Sequence, residues 1–262
     1  MTAADGVCID IDGPILTVTL DRPKVNAIDA ATSRALHAAI SRLVNDDDLR
    51  VAVLTAAGDR FFSAGWDLKA ANDGESAHAD HGAGGFAGIT ELFGRRKPII
   101  AAVNGSAYGG GVEMMLGADL VVASNTATFS FPEARIGVLP DAGGVIRLAA
   151  RLPRALALEL LLTGRSFTAH EAHGWGLVNR VVPAESVLES AMELARSLCE
   201  AAPLSVAATL EIVEAAQGLS DEDALTVTRR DLKVAPLVPL SDDAIEGARA
   251  FAEKRAPQWR GR

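Results

Sequence analysis

A pattern that recurs along the first 150 residues constrains this chain more than any other feature: a short apolar strand, a turn of small residues, then a short helix. Val51 to Thr55 runs apolar into Ala57-Gly58-Asp59. Ile99 to Val103 leads through Asn104-Gly105 to Gly109-Gly110-Gly111 and a helix with Val112, Met115 and Leu116 facing inward. Leu120 to Ala123 and Thr128 to Phe131 precede Gly143-Gly144 and a helix to about Leu152. Apolar runs this short suit strands buried on both faces. Loosely repeated ββα units are the architecture that such a sentence, written three times, can build.

The flanking segments have their own signals. Residues 7–11 and 15–20 read as strands joined at Asp12-Gly13-Pro14, the second alternating Leu16, Val18 and Leu20 with Thr17 and Thr19. Asp29 reads as the N-cap of a helix to about Val44, with Leu36, Ile40 and Leu43 at helical spacing. Phe86, Ile89, Leu92 and Phe93 predict a helix ending near Arg96. The polar, glycine-rich stretch 72–85 is long for a connection, so it is either mobile or part of a site. From residue 155 the chain turns helical. Thr168-Ala-His-Glu171 is a capping box, residues 184–201, 204–217, 221–235 and 242–253 have helical period, and Leu177 to Val182 interrupts as a strand. No low-complexity linker intervenes, so the expectation is one domain: an α/β core over residues 1–200 and a helical region over 201–262.

Composition narrows the function classes. With 49% apolar and 23% charged residues, a sizeable core is available and wholesale disorder is excluded. A net charge of −9 lacks the basic footprint of a nucleic-acid binder. Cys8 and Cys199 stand far apart and form no metal or disulfide framework, which fits a reducing compartment. Met1 to Gly6 has neither a basic nor an apolar region of a signal peptide, and the apolar runs are strand-sized. The expectation is a cytoplasmic protein that engages no membrane.

Several familiar sites can be set aside. Ser106 sits one place early for a nucleophile elbow. Gly82 to Ala87 mimics a dinucleotide fingerprint but follows a polar loop, not a strand. His78/His81 and His170/His173 have i, i+3 spacing but no third ligand, so solvated histidines and no metal are expected. What remains is the helix after Gly109-Gly110-Gly111, whose first N–H groups are unpaired and unobstructed by side chains. Such an end holds an oxyanion. Ala64-Gly65-Trp66 is a second small-residue turn, and two such turns facing each other would clamp one carbonyl oxygen; the alternative is that these glycines only permit tight packing. Glu113, flanked by Val112, Met114 and Met115, and Glu133, after Phe131-Pro132, are carboxylates in apolar settings. Each is either a cap or a group tuned for proton transfer. At Glu113 the helix dipole favours the anion and burial favours the acid.

These residues resemble the crotonase (enoyl-CoA hydratase/isomerase) superfamily. The resemblance rests on Leu20 to Ile28, Phe62-Ser-Ala-Gly-Trp-Asp-Leu68, Ala101 to Gly105 with Gly109-Gly-Gly-Val-Glu113, and Phe131-Pro-Glu133 through Gly137, Pro140 and Gly143-Gly144, and it extends to Phe251-Ala-Glu-Lys-Arg255. Within the superfamily, Phe61 to Ala71, Gly84 to Gly88, Pro140-Asp141 and Asp243 to Gly247 are similar to the carnitinyl-CoA dehydratase family.

The resemblance implies a crotonase-like (ClpP/crotonase) α/β spiral of ββα units with C-terminal helices that make homotrimers, or dimers of trimers. It implies an acyl-CoA thioester as substrate, with coenzyme A entering as part of that substrate and no separate cofactor. By motif position the backbone N–H groups of Trp66 and Gly110 would form the oxyanion hole, and Glu113 and Glu133 the acid/base pair of a hydratase. Ala64, Asp67 and Leu68 would line the thioester loop, and Ala27 and Ile28 the path of CoA. Phe251 and Lys254 would reach CoA in a neighbouring subunit, and Asp141 the far end of the acyl group. Trp66, Phe86, Phe93, Tyr108 and Trp175 are the aromatic candidates for a trimethylammonium contact. A general short-chain enoyl-CoA hydratase, a double-bond isomerase and a non-catalytic scaffold of the same fold are the competing readings; possession of both glutamates argues against the isomerase, and the charge of −9 with both glutamates intact against the scaffold.

Overall fold

The computed structural model describes residues 6–76 and 79–262. In chain order, β1 (Val7–Asp12), β2 (Ile15–Leu20) and β3 (Ala27–Ile28) precede α1 (Ala30–Asn45), β4 (Val51–Ala56), β5 (Phe61–Ser63), β6 (Gly65–Trp66) and α2 (Leu68–Asn72). There follow β7 (Ile99–Val103), β8 (Ser106–Tyr108), α3 (Gly110–Leu116), β9 (Leu120–Ser124), β10 (Thr128–Ser130), α4 (Glu133–Ile136) and α5 (Gly144–Arg151). Next come α6 (Arg154–Thr163), β11 (Phe167–Thr168), α7 (Ala169–Gly174), β12 (Arg180–Val182) and α8 (Val187–Cys199). The chain closes with α9 (Pro203–Ala215), α10 (Asp221–Arg230) and α11 (Asp242–Glu253).

The repeat read from the sequence is visible in the strand pairing. One sheet has the order β1-β2-β4-β7-β9-β12, and a second has β11-β10-β8-β5. Each unit therefore sends its first strand to one sheet and its second to the other: β4 then β5, β7 then β8, β9 then β10. The long strands pair in parallel from β2 onward, with Val53 opposite Ile100 and Ala101 opposite Val121. Every residue of β4 and β7 is buried, as apolar strands covered on both faces require. Phe62, Phe129, Phe131 and Phe167 are the largest wholly buried side chains among the described residues.

Two compact units can be distinguished. One comprises the residues up to Leu92 with Ile99–Ala195; the other comprises Phe93–Pro98 with Arg196–Arg262. In the second, Ala207, Ala208 and Val234 form a small core, and Asp243 accepts hydrogen bonds from the N–H groups of Arg260 and Gly261 at 2.7 and 2.9 Å.

The expected caps are present. Asp29 accepts from the Thr32 N–H at 2.7 Å at the start of α1, and both hydrogen bonds of the Thr168/Glu171 box are made. The helix expected from Phe86 to about Arg96 is not formed. Only Phe86–Gly88 makes a 3₁₀ turn, because Gly85, Ala87 and Gly88 all have φ near +60°. Gly88 lies so close to α1 that a Cβ there would stand 2.2 Å from the His37 backbone nitrogen. Close approach to α1 has overridden the apolar spacing. The strand expected from Leu177 is shortened to β12, and the helix expected to reach 235 stops at Arg230.

Candidate active site

Backbone packing creates the centre of the site. Gly65 has φ +84°, and a Cβ there would meet the Tyr108 carbonyl oxygen at 2.6 Å and the Gly110 nitrogen at 2.7 Å. Strand β6 thus runs main chain against main chain along the start of α3. Ser63 fixes this turn: its Oγ accepts from the Gly65 N–H at 3.0 Å and donates to the Asn26 carbonyl at 2.7 Å. The Gly109 carbonyl accepts from the N–H groups of Val112 and Glu113 at 2.8 and 3.1 Å. The Gly110 N–H, at the first helical position, has no acceptor within the helix. Trp66 and Gly110 both line a cavity of about 740 Å³.

Glu113 and Glu133 line the same cavity. Glu113 is 4% exposed, and its Oε1 accepts from the Gly144 N–H at 2.8 Å. Burial pushes its carboxyl up to about 7, with Glu133 and Asp141 adding to the rise and the Gly144 N–H and Arg147 opposing it. Burial therefore prevails over the stabilisation of the anion at this helix start. Glu133 begins α4 and is 8% exposed. Its carboxyl is also raised, by burial first and by Asp141, against the pull of its own backbone N–H. Its Oε2 is buried and has no hydrogen-bond partner among the described residues. Gly109 makes room for it, since a Cβ there would lie 2.5 Å from Glu133 Oε1.

The other candidates divide. Ala64, Leu68 and Asp141 are on the cavity wall. Ala27, Ile28 and Asp67 are not among the lining residues. Ile28 is wholly buried, the Ala27 carbonyl accepts from Arg22 at 2.8 Å, and Asp67 caps α2 by accepting from the Lys69 N–H at 2.9 Å. Arg22 lies between Asp29 and Asp67, at 2.9 and 3.6 Å, tying the starts of α1 and α2 together. Phe251 and Lys254 belong to the second unit; Phe251 is exposed and Lys254 ends α11 with φ +53°.

Of the five aromatic candidates, Trp66 and Phe86 line the cavity. The Trp66 indole donates to Glu75 Oε1 at 3.2 Å, while Glu75 Oε2 accepts from the Ala30 N–H at 3.1 Å. Tyr108 is bonded to Thr128 Oγ1 at 3.0 Å, Trp175 packs on Phe167 with centroids 5.5 Å apart, and Phe93 is exposed.

Sequence reasoning did not place Asp80, His81 or Glu91 at the site, yet all three line the cavity. His78 lies outside the described residues, but His81 is not a solvated side chain. Its Nδ1 is 2.9 Å from Ser33 Oγ, and its ring meets Phe86 edge-on at 5.3 Å. Ser33 Oγ accepts from the Ala87 N–H at 3.1 Å and is 3.0 Å from the Asp29 carbonyl, to which only its hydroxyl hydrogen can be given. All three contacts are satisfied together when His81 Nδ1 donates, which assigns the proton to Nδ1 and leaves Nε2 an acceptor. Burial lowers the pKa of this imidazole and favours the neutral ring. Ala79 to Gly82 and Gly85 of the 72–85 stretch are thus part of the cavity wall. The available clue was its glycine content, which permits the tight folding of residues 82–88 against α1.

An α/β fold in which the Trp66 end of β6 and the start of α3 share a cavity with two buried carboxylates is suited to acyl-thioester chemistry. The Enoyl-CoA hydratase/isomerase family profile matches residues 10–262, and the chain belongs to that family. A carnitinyl-CoA dehydratase of Proteus mirabilis (strain HI4320) is 53% identical over 251 residues, covering 95% of this chain and 96% of the relative. An enoyl-CoA hydratase from Mycobacterium tuberculosis H37Rv superposes with a TM-score of 0.91 at 40% identity, covering 99% of this chain and all of that one. A carnitinyl-CoA hydratase structure from Mycobacterium avium has a TM-score of 0.77 at 42% identity, over 99% of this chain and all of that one. The fold is the crotonase type expected, and the chain is a hydro-lyase of the enoyl-CoA hydratase kind acting on an acyl-CoA thioester. No helix among the described residues is long and apolar enough to cross a membrane.

Proposed function

We propose that the protein interconverts crotonobetainyl-CoA and carnitinyl-CoA by adding or removing water. The observation that carries the mechanism is the sharing of one cavity by Glu113, Glu133, Trp66 and Gly110. The similarity to carnitinyl-CoA dehydratases supports the acyl group. In hydration, water oxygen bonds to C3 of the enoyl thioester, the C2=C3 electrons pass toward the thioester oxygen, and C2 then takes a proton. The N–H groups of Trp66 and Gly110 stabilise the oxygen as its charge builds; one such donor is worth about 10²–10³ in rate. One glutamate accepts a proton from water and the other delivers one to C2, each role worth roughly 10²–10⁴. Carboxyls lifted toward neutrality are suited to both directions of that exchange.

The overall reaction changes no oxidation state of the whole, so coenzyme A as part of the substrate is sufficient and no separate cofactor is called for. Ala64, Leu68 and Asp141 would contact the acyl thioester from the wall, with Ala27, Ile28 and Asp67 supporting the CoA path from behind it. Phe251 and Lys254 would touch CoA held by a neighbouring subunit of a homotrimer or paired trimers. The exposed Leu240, Ile245 and Phe251 of the second unit supply apolar surface for such assembly. The acidic composition and two cysteines that form no disulfide suit a cytoplasmic enzyme without nucleic-acid or membrane partners.

The test is loss of enoyl-thioester absorbance when purified protein meets crotonobetainyl-CoA and, separately, crotonyl-CoA. Faster turnover of crotonobetainyl-CoA is expected. Turnover of crotonyl-CoA alone would replace the acyl group and keep the mechanism, and no loss with either would overturn the reading.

A further inference from the structure

We infer that Glu75 is a positioning residue for the reaction: from outside the cavity it ties the Trp66 indole to the start of α1 and so sets the direction of the Trp66 backbone N–H. This rests on the hydratase reading above and adds a support to its oxyanion hole. Strand β6 has two residues, and its pairing with β3 accounts for one side of it. Ile28 lies opposite Trp66, and the Ile28 carbonyl accepts from the Asp67 N–H at 2.9 Å. Successive N–H groups of an extended strand point to opposite sides, so the Trp66 N–H faces away from β3. The peptide that carries it follows Gly65, the residue type whose backbone resists rotation least. Packing of Gly65 on α3 fixes where the strand lies, and a tether on the Trp66 side chain fixes its rotation.

Glu75 is that tether. Its Oε1 accepts from the Trp66 indole at 3.2 Å and its Oε2 from the Ala30 N–H at 3.1 Å, so one carboxylate spans both donors. Ala30 is the first residue of the 16-residue α1, where an unpaired N–H and the positive helix end favour an anion. The Asp29 side chain serves the Thr32 N–H and leaves that of Ala30 to Glu75. Glu75 is itself fastened, since its own N–H donates to the Ala70 carbonyl of α2 at 2.9 Å. It is not among the residues lining the cavity, and it reaches the reacting atoms only through Trp66. The same turn of α1 supports the facing amide. Ser33 Oγ accepts from the Ala87 N–H at 3.1 Å and from His81, whose ring meets Phe86. The Phe86 ring abuts Gly110, where a Cβ would stand 2.6 Å from its Cε1. Ala30 and Ser33 share one face of the helix, so a single helical turn is the common reference for the two amides.

The experiment reads the thioester carbonyl directly. The saturated analogue of the proposed substrate, 4-trimethylammoniobutanoyl-CoA, cannot be hydrated, and a carbon-13 label at its thioester carbonyl isolates that stretching band in infrared difference spectra of the complex. Wild type is expected to lower the frequency relative to free ligand, as hydrogen bonds to the oxygen do, and E75A to lose most of that lowering. For hydration of crotonobetainyl-CoA, E75A is expected to reduce kcat about 10–100-fold and to change KM by less than about threefold. W66F keeps the bond from Glu75 to Ala30 and removes the indole donor. The W66F/E75A double variant is therefore expected to be no slower than the slower single variant. E75Q, with one acceptor oxygen for two donors, decides by the same two readouts if E75A does not fold. A lower melting temperature with band and kcat unchanged would make Glu75 a helix cap and overturn the inference. A double variant whose loss is the product of the single losses would overturn it too. Absence of any lowering in wild type with the ligand bound would instead remove the oxyanion hole of the hydratase reading, and this inference with it.

Discussion

At Glu113 the cost of burying a charge and the benefit of one N–H donor, from Gly144, act on the same carboxyl, and burial is the larger. Raised from 4.5 to about 7, the group binds more protons in the folded state than in the unfolded state between those values. Stability contributed at this site is therefore present at low pH, falls through that window, and is level above it. E113Q removes the penalty. Its melting temperature is expected to match wild type near pH 4 and to exceed it at pH 8, by up to ~3 kcal/mol of stability. A difference that is the same at both pH values would contradict this account of Glu113. Hydration rates should also turn on an ionisation near 7 at Glu113, whose carboxyl senses the charge of Glu133. The two glutamates were legible from their apolar neighbours in sequence. Which effect prevailed at Glu113 was not, because the outcome depends on Gly144 and Asp141, both distant along the chain.

Among the elements, the junction of β6 with α3 carries the geometry. Gly65 has no space for a Cβ between Tyr108 and Gly110, and its φ of +84° is strained for any other residue. G65A should force β6 away from α3 and separate the two amides. Hydration is expected to fall by at least ~100-fold, as loss of an oxyanion donor does; near-normal turnover would show that the two amides need not be held together. The ββα repeat, the Asp29 cap and the Thr168/Glu171 box were readable because strand period and capping are local. The segment after Gly85 was not. Phe86, Ile89, Leu92 and Phe93 have helical spacing, yet contact with α1 selects positive φ at Gly85, Ala87 and Gly88. His81 was read only as a solvated histidine, and Glu91 was not singled out, for the same reason: they reach the cavity only because this segment folds back. G88A tests the contact. A Cβ 2.2 Å from the His37 nitrogen should destabilise the protein by roughly 2 kcal/mol or more, seen as a lower urea midpoint; an unchanged midpoint would show that the backbone yields there at little expense.

For the whole molecule, the exposed apolar side chains of the C-terminal helices bear on assembly. Leu240 is 82% and Phe251 is 87% exposed in the single chain. Light scattering is expected to give a mass of about three or six times 27.3 kDa, and a monomer at micromolar concentration would contradict the proposed assembly. The parallel strands and the cavity belong to the first unit by itself, so the chemistry can be tested on the full chain without knowing the assembly. The most direct measurement is single-turnover hydration of crotonobetainyl-CoA by wild type, E113Q, E133Q and the double variant, with acyl-CoA affinity measured alongside. If the two carboxyls act as one unit beside the amides of Trp66 and Gly110, each single variant loses at least ~100-fold in rate, binding persists, and the double variant is little slower than the singles. A rate near that of wild type in either folded single variant would contradict it.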